Sequence, residues 1–180
     1  GFKGSWLSMI LNFAGAEVLG FSAESLNNNS ELFKSLNIAG ISHSCDQDIR
    51  DKDSLNQIFS SFKPEIIFHM AAQPLVRESY ERPFETYEIN VMGTLNILEA
   101  IRSHDSVRAS VFVTTDKCYE NQEWSWGYRE NDPMGGFDPY SSSKGCAELL
   151  IQSYQQSYFN DQNSLSALSS VRAGNVIGGG

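Results

Sequence analysis

Apolar positions along the chain follow two rhythms. Short apolar runs bounded by turn residues occur at Glu17–Phe21, Ile41–Cys45, Ile66–Ala72, Ala109–Thr114 and Leu165–Arg172. Runs of this length read as strands, and the unbroken one from Ile66 as a strand buried on both faces. Between them the spacing lengthens to three or four. Trp6, Leu7, Ile10, Leu11 and Phe13 suit a helix from Ser5, packed on one side and stopped by Gly15. Leu55, Ile58, Phe59 and Phe62 place a helix over Lys52–Phe62, broken by Pro64. Tyr87, Val91, Leu95, Leu98 and Ala100 line a long helix from Pro83 to about Ser103, and a last one opens at Pro139 and runs through Tyr158. Ser25–Ser30 and residues 160–164 are polar and Asn-containing, which reads as loop. Strand and helix alternate throughout without internal repeat. That order predicts an α/β, doubly wound parallel sheet of Rossmann-like type.

Composition narrows the function. With 180 residues the chain is one domain by length and large enough to bury a core. A net charge of −9 argues against nonspecific binding to nucleic acid or to an anionic membrane. A nucleotide ligand stays open, because backbone amides hold phosphates in acidic proteins too. Cys45, Cys118 and Cys146 lack metal or redox spacing, so reduced thiols in the cytoplasm are expected, with no metal site. No apolar run is long enough to cross a membrane. The chain opens on Gly1 without Met and closes on Gly178-Gly179-Gly180, so both ends are expected to be cut.

Three stretches carry candidate chemistry. Gly1-Phe2-Lys3-Gly4 leads into a helix and then a strand. That is the back part of a dinucleotide-binding unit, its helix N-terminus facing a pyrophosphate; a tight turn with an ordinary helix cap is the alternative. No carboxylate ends the strand at Gly20-Phe21, Glu24 is slightly late, and no cation follows before Lys34, which leans towards NAD over NADP. The strand Ala109–Thr114 runs into polar Thr115, Asp116 and Lys117, at the carboxyl end where ligands gather in open sheets. Asp138 and Pro139 then start the helix that carries Tyr140 and Lys144, four apart and so on one face. An ammonium there would lower a phenol that otherwise titrates near pH ~10, making a general base; a surface Tyr and Lys stacked on a helix is the plain alternative. His69 reads as a satisfied core residue and Asn90 as a buried amide in need of partners. Trp124, Trp126 and Tyr128 either pack down their loop, Asn121–Asp138, or line a substrate cleft.

Taken together in this order, the signals resemble the extended short-chain dehydrogenase/reductase family. Gly1–Trp6, His69–Arg77, Thr114–Asn121 and Arg172–Gly180 resemble in particular its nucleotide-sugar 4,6-dehydratases. The resemblance implies NAD retained through the cycle, a nucleotide-sugar substrate and a cytoplasmic homodimer paired through the helices from Pro83 and Pro139. It places Gly1, Phe2, Lys3 and Gly4 at the pyrophosphate, Asp48 and Ile49 at the adenine, and Ala71, Ala72 and Gln73 along the dinucleotide. Asn90 would support the sheet end, and Asn175 and Val176 would face the nicotinamide or the sugar. Tyr140 would take the proton of the sugar 4-hydroxyl while Lys144 keeps it accessible and bonds the nicotinamide ribose. Thr115 would hold the 4-oxygen and Asp116 would protonate the departing 6-hydroxyl. Lys117 stands where related dehydratases carry a glutamate base, so it is either a base of lowered pKa or a fixed charge for the enolate. Residues 1–180 would form an NAD(P)-binding Rossmann domain lacking its first central strand and a substrate domain, poorly folded by itself. A 4-epimerase, which does not need Asp116, and a binding module without turnover are the competing readings.

Overall fold

A computed structural model describes residues 1–23, 31–161 and 164–179. Glu24 and the loop Ser25–Ser30, with part of the stretch 160–164, lie outside the described residues. Two parallel sheets are present among the described residues. In one, β1 (Leu19–Ser22) pairs with β2 (His43–Asp46). In the other, β3 (Ile66–His69), β4 (Ala109–Thr115) and β5 (Ala167–Ala173) lie in that order. The expected sheet is thus divided, and β1 and β3 do not pair with each other. All connections between paired strands cross over through helices, as parallel pairing demands.

Helices α4 (Lys52–Phe62), α7 (Thr94–Ser103) and α8 (Pro139–Tyr158) pack with the three-stranded sheet into the core. Leu55, Phe59, Ile97, Leu98, Ile101, Phe112, Ile151 and Leu168 form it, with Leu98 and Phe112 wholly buried. Burying side chains of this size stabilises the fold by about 1.5–3 kcal/mol each. The ends of α4 and α8 follow their capping chemistry. Asp51 accepts from the amides of Asp53 and Ser54, and Lys63 closes α4 in the left-handed region at φ 52°. Asp138 accepts from the Ser141 amide at 2.9 Å, and Pro139 takes the first helical position of α8.

Several expectations need correction. Helix α1 spans Phe2–Phe13, so the glycine turn is already its first turn, with Gly1 as the cap. Its apolar side is covered only in part: Trp6, Leu7 and Leu11 are half-buried, while Ile10 is 56% and Phe13 93% exposed. Strand β3 stops at His69, and only one of its faces is covered. Ile66 and Phe68 point outward and exposed, because this edge strand has no covering layer on that side. The long helix from Pro83 is not uniform: α6 (Pro83–Tyr87) widens into a π-helical segment (Glu88–Gly93) before α7. Gly93 permits this segment to lie on Ile49; a Cβ there would sit 2.3 Å from Ile49 Cδ1. Short helices α2 (Glu31–Ser35), α3 (Ile38–Ile41) and α5 (Val76–Glu81) were not expected, since fewer than two turns leave little periodicity to read.

The segment from Tyr119 to Met134 folds back on itself. Those two residues form an antiparallel bridge, and Glu120 N donates to Pro133 O at 2.9 Å. Its aromatics pack on one another: Tyr119 stacks on Tyr128 at 5.0 Å, and Trp124 meets Trp126 at 5.4 Å and Tyr128 at 5.5 Å. Beyond β5 the chain returns to α1, where Trp6 Nε1 donates to Gly179 O at 3.0 Å.

Candidate active site

The site is built where β4 ends against the start of α8. Thr115 is the last residue of β4 and caps a single 3₁₀ turn, Asp116–Cys118. Its hydroxyl donates to Asp116 Oδ1 at 3.1 Å and accepts from Lys117 N at 3.3 Å. The Tyr140 phenol lies beside this threonine and within electrostatic reach of Asp116. Gly174, just past β5, is where the chain passes Asp116: a Cβ there would lie 3.3 Å from Oδ2. Asp116 and Lys117 are exposed, whereas Thr115, Tyr140 and Lys144 are buried.

The electrostatics differ from the expectation in one respect. Burial pushes the Tyr140 phenol up, Asp116 and Asp138 push the same way, and the polar neighbour Thr115 only partly offsets them. Lowering by Lys144 is therefore not what governs this phenol. Lys144 is itself perturbed: burial, then the charge of Lys3, push its ammonium down to about 8 against the pull of Glu148. Among the described residues the Lys144 side chain makes no hydrogen bond or ion pair. The Lys3 effect places the ammonium near the first turn of α1, whose free amides and dipole favour an anion.

Buried polar groups behind these residues hold them in place. Asn90, 1% exposed, accepts from Gln73 N at 2.9 Å and donates to Ser143 Oγ at 2.9 Å and Gln73 O at 3.2 Å. Ser143 Oγ donates to Tyr140 O at 2.7 Å. Thr94 spends its one proton on Asn90 O at 2.7 Å, so His69 donates to Thr94 Oγ1 at 3.0 Å from Nε2. Burial and nearby Lys144 hold His69 down to about 3, which makes it a neutral core residue, edge-on to Phe112.

Other expected ligand residues are engaged by the protein itself. Gln73 is buried and bonds Leu75 and Thr86 with its side chain, so that side chain braces α6 instead of facing a dinucleotide. Asp48 is gripped by Arg50, with Nη2 at 2.6 Å, and this pairing holds its carboxyl below the ordinary range. Ile49 is buried against Gly93, and its carbonyl accepts from Asn96 at 3.0 Å. Ala71 and Ala72 are half-buried, and Asn175 and Val176 are exposed on the segment after β5. Three hydrogen-bonding groups beside the site were missed. Ser79 is fully buried on α5, accepting from Tyr140 N at 3.1 Å and donating to Val76 O at 2.7 Å. Glu148 and Arg172 pair at 2.9 Å. Glu148 carried a signal, one turn beyond Lys144 on the same helix; Ser79, 61 residues from Tyr140, carried none. Among the described residues no group of His, Cys, Asp and Glu is arranged to hold a metal, and no helix is long and apolar enough to cross a membrane.

The sequence profile described as GDP-mannose 4,6 dehydratase matches residues 1–167. The chain belongs to this family. Membership agrees with the resemblance to extended short-chain dehydrogenase/reductases. Among family relatives, CDP-glucose 4,6-dehydratase of Salmonella typhimurium is 54% identical over the whole of this chain and 51% of its own length. The UDP-glucose 4-epimerase of Thermus thermophilus, solved with NAD, is 31% identical with a TM-score of 0.74, over 88% of this chain and 49% of its own. A double mutant of dTDP-glucose 4,6-dehydratase from Streptomyces venezuelae, with NAD bound, is 25% identical with a TM-score of 0.75, over 88% of this chain and 50% of its own. The chain thus spans about half the length of the relatives it matches.

Proposed function

We propose that this chain is the NAD-binding domain of a nucleotide-sugar 4,6-dehydratase acting on CDP-glucose, and that residues 1–180 work with a substrate domain elsewhere in a longer protein. The observation that carries the reading is the meeting of Tyr140 with Thr115 and Asp116 at the end of β4. Likeness to the Salmonella dehydratase supports the choice of sugar nucleotide. The residues fit a dinucleotide, because a buried, unpartnered ammonium and Lys3 converge near the first turn of α1. Gly1–Gly4, Lys3 and Lys144 would hold it, with Ala71, Ala72 and the Asp48–Ile49 backbone along it. When bound, NAD supplies hydride acceptance from C4 and return to C6.

The chain's own groups handle the protons. Tyr140 takes the proton of the 4-hydroxyl and Thr115 holds the 4-oxygen. The C4 ketone acidifies the C5 hydrogen, whose proton passes to Lys117 acting from its neutral form and returns to C5 once C6 has gained its hydride; Asp116 protonates the departing 6-hydroxyl, which leaves as water. Once it holds that proton, Lys117 is a positive charge beside the developing enolate, so base and charge stabiliser are one group. Asn175 follows Gly174 and would meet the sugar. An acid beside Thr115 favours elimination over epimerisation.

Exposed Phe84, Met92 and Leu149, at 76%, 50% and 58%, support a second copy packing on the α6–α7 and α8 helices. Three free cysteines fit a cytoplasmic setting. The test is turnover of CDP-glucose by the intact protein, with UDP- and dTDP-glucose for comparison. A 4-keto-6-deoxy product that falls about 10²–10⁴-fold in rate in Tyr140→Phe is expected. A 4-epimer would indicate an epimerase, and binding without turnover a module.

A further inference from the structure

Beyond Lys144 on the same face of α8, Glu148 is almost wholly buried at 2% exposure. It is the meeting point of three elements. One of its oxygens accepts from Thr114 Oγ1 on β4, the residue next to Thr115. The other accepts from Ser170 Oγ at 2.9 Å and Arg172 Nη2 at 2.9 Å, both on β5. Burial by itself would raise this carboxyl, yet the bonds from Arg172, Thr114 and Ser170 outweigh it and hold it ionised. Arg172 extends the connection: Nη1 donates to the Tyr119 hydroxyl at 2.7 Å and the Glu130 carbonyl at 3.0 Å, and its guanidinium lies 5.0 Å over the Tyr119 ring.

We propose that Glu148 and Arg172 are positioning residues that set the separation between the base on α8 and the Thr115–Asp116 pair on β4. The geometry is that of a brace. Tyr140, Lys144 and Glu148 recur every four residues, so they move as one rigid helical face. Glu148 grips β4 one residue before Thr115, and Arg172 holds both Tyr119, just after the 3₁₀ turn of Asp116, and the folded-back loop. The chain segment bearing Thr115, Asp116 and Lys117 is thereby pinned on both sides to the helix bearing the base. Reactions that move a proton and a hydride together are sensitive to such separations at the sub-ångström level. A buried pair of this kind is poor as a source of net stability, so its presence here is better explained by geometry.

The inference rests on the dehydratase reading, and its test keeps the two apart. The intact protein is assayed as wild type, Glu148→Gln, Arg172→Lys, Arg172→Met and Thr114→Val, with CDP-glucose and with CDP-glucose carrying deuterium at C4. Gln keeps one acceptor of two, and Lys keeps the charge without the planar fork that reaches Glu148 and Tyr119 together. The expected result is a kcat lowered at least tenfold in E148Q and R172M, partial recovery in R172K, and a KM within threefold of wild type. The deuterium isotope effect on kcat should rise towards its full value, as hydride transfer becomes limiting. Thr114→Val removes only the hydroxyl next to Thr115, so it reports the same loss if the glutamate variants do not fold. Variants that lose melting temperature while kcat and the isotope effect stay at wild-type values overturn the proposal, as does a loss confined to KM. If wild type turns over no sugar nucleotide, the functional reading fails first; if wild type is active and the variants are unaffected, only the brace fails.

Discussion

Replacing Lys144 by Met should make the protein more stable while removing its activity. The side chain is buried and has no partner among the described residues. Its ammonium titrates at about 8 in the fold, down from an ordinary 10.5, chiefly through burial. At about 1.4 kcal/mol for each tenfold change in the proton equilibrium, that fall corresponds to a folding penalty of about 3 kcal/mol. The sign follows from proton counting. Between pH 8 and 10.5 the unfolded chain holds the proton and the folded one does not. Raising the pH through this window therefore favours the fold, and the penalty is fully present below pH 8. Methionine has a similar stem and helix propensity but no charge. Urea unfolding of the intact protein without nucleotide, from about pH 6 to 10.5, should show Lys144→Met more stable by about 3 kcal/mol near neutral pH. The gap should narrow to near zero at the alkaline end. A variant equal to or weaker than wild type at neutral pH, or a gap that does not change with pH, would refute the reasoning. A charge kept at this cost is expected where function, such as holding a ribose or phosphate, needs it.

Two further outcomes follow from packing. A Cβ on Gly136 would lie 2.1 Å from Ser141 Cβ and 2.6 Å from its carbonyl carbon, so Gly136→Ala must displace the first turn of α8. We expect a loss of about 1–3 kcal/mol in stability and a kcat loss with NAD affinity retained, read by calorimetry and steady-state kinetics; unchanged turnover would show that this turn does not position Tyr140. Residues 1–180 produced alone should self-associate, since among the described residues β1 and β3 keep unpaired edges and Phe13, Ile66 and Ile177 are 93%, 59% and 93% exposed. A monodisperse monomer by light scattering, with a cooperative melt, would contradict this.

Much of the architecture was legible because it is written in local rules. The period over Lys52–Phe62 and the Asp-Pro start of α8 produced helices with the expected bounds. The strand ending at Thr115 was legible as an apolar run meeting polar residues. Covering layers were not legible: the run in β3 looks buried on both faces, yet Ile66 and Phe68 are exposed, as are Ile10 and Phe13 late in α1, because burial depends on what packs opposite. Nor was the π-helical turn at Asn90, which comes from Gly93 settling on Ile49 and Thr94 taking Asn90 O.

The residue order alone determined the parallel α/β layout, the pairing of Tyr140 with Lys144 on one helical turn, and the polar end of β4, because each depends on neighbours within a few positions. Tertiary structure decided the rest: that Thr115 reaches Tyr140, that Asp48 is spent on Arg50, and that Ser79, Glu148 and Arg172 hold the site. Those contacts join residues up to 61 positions apart, and only the folded chain sets which buried charges meet and which water they lose.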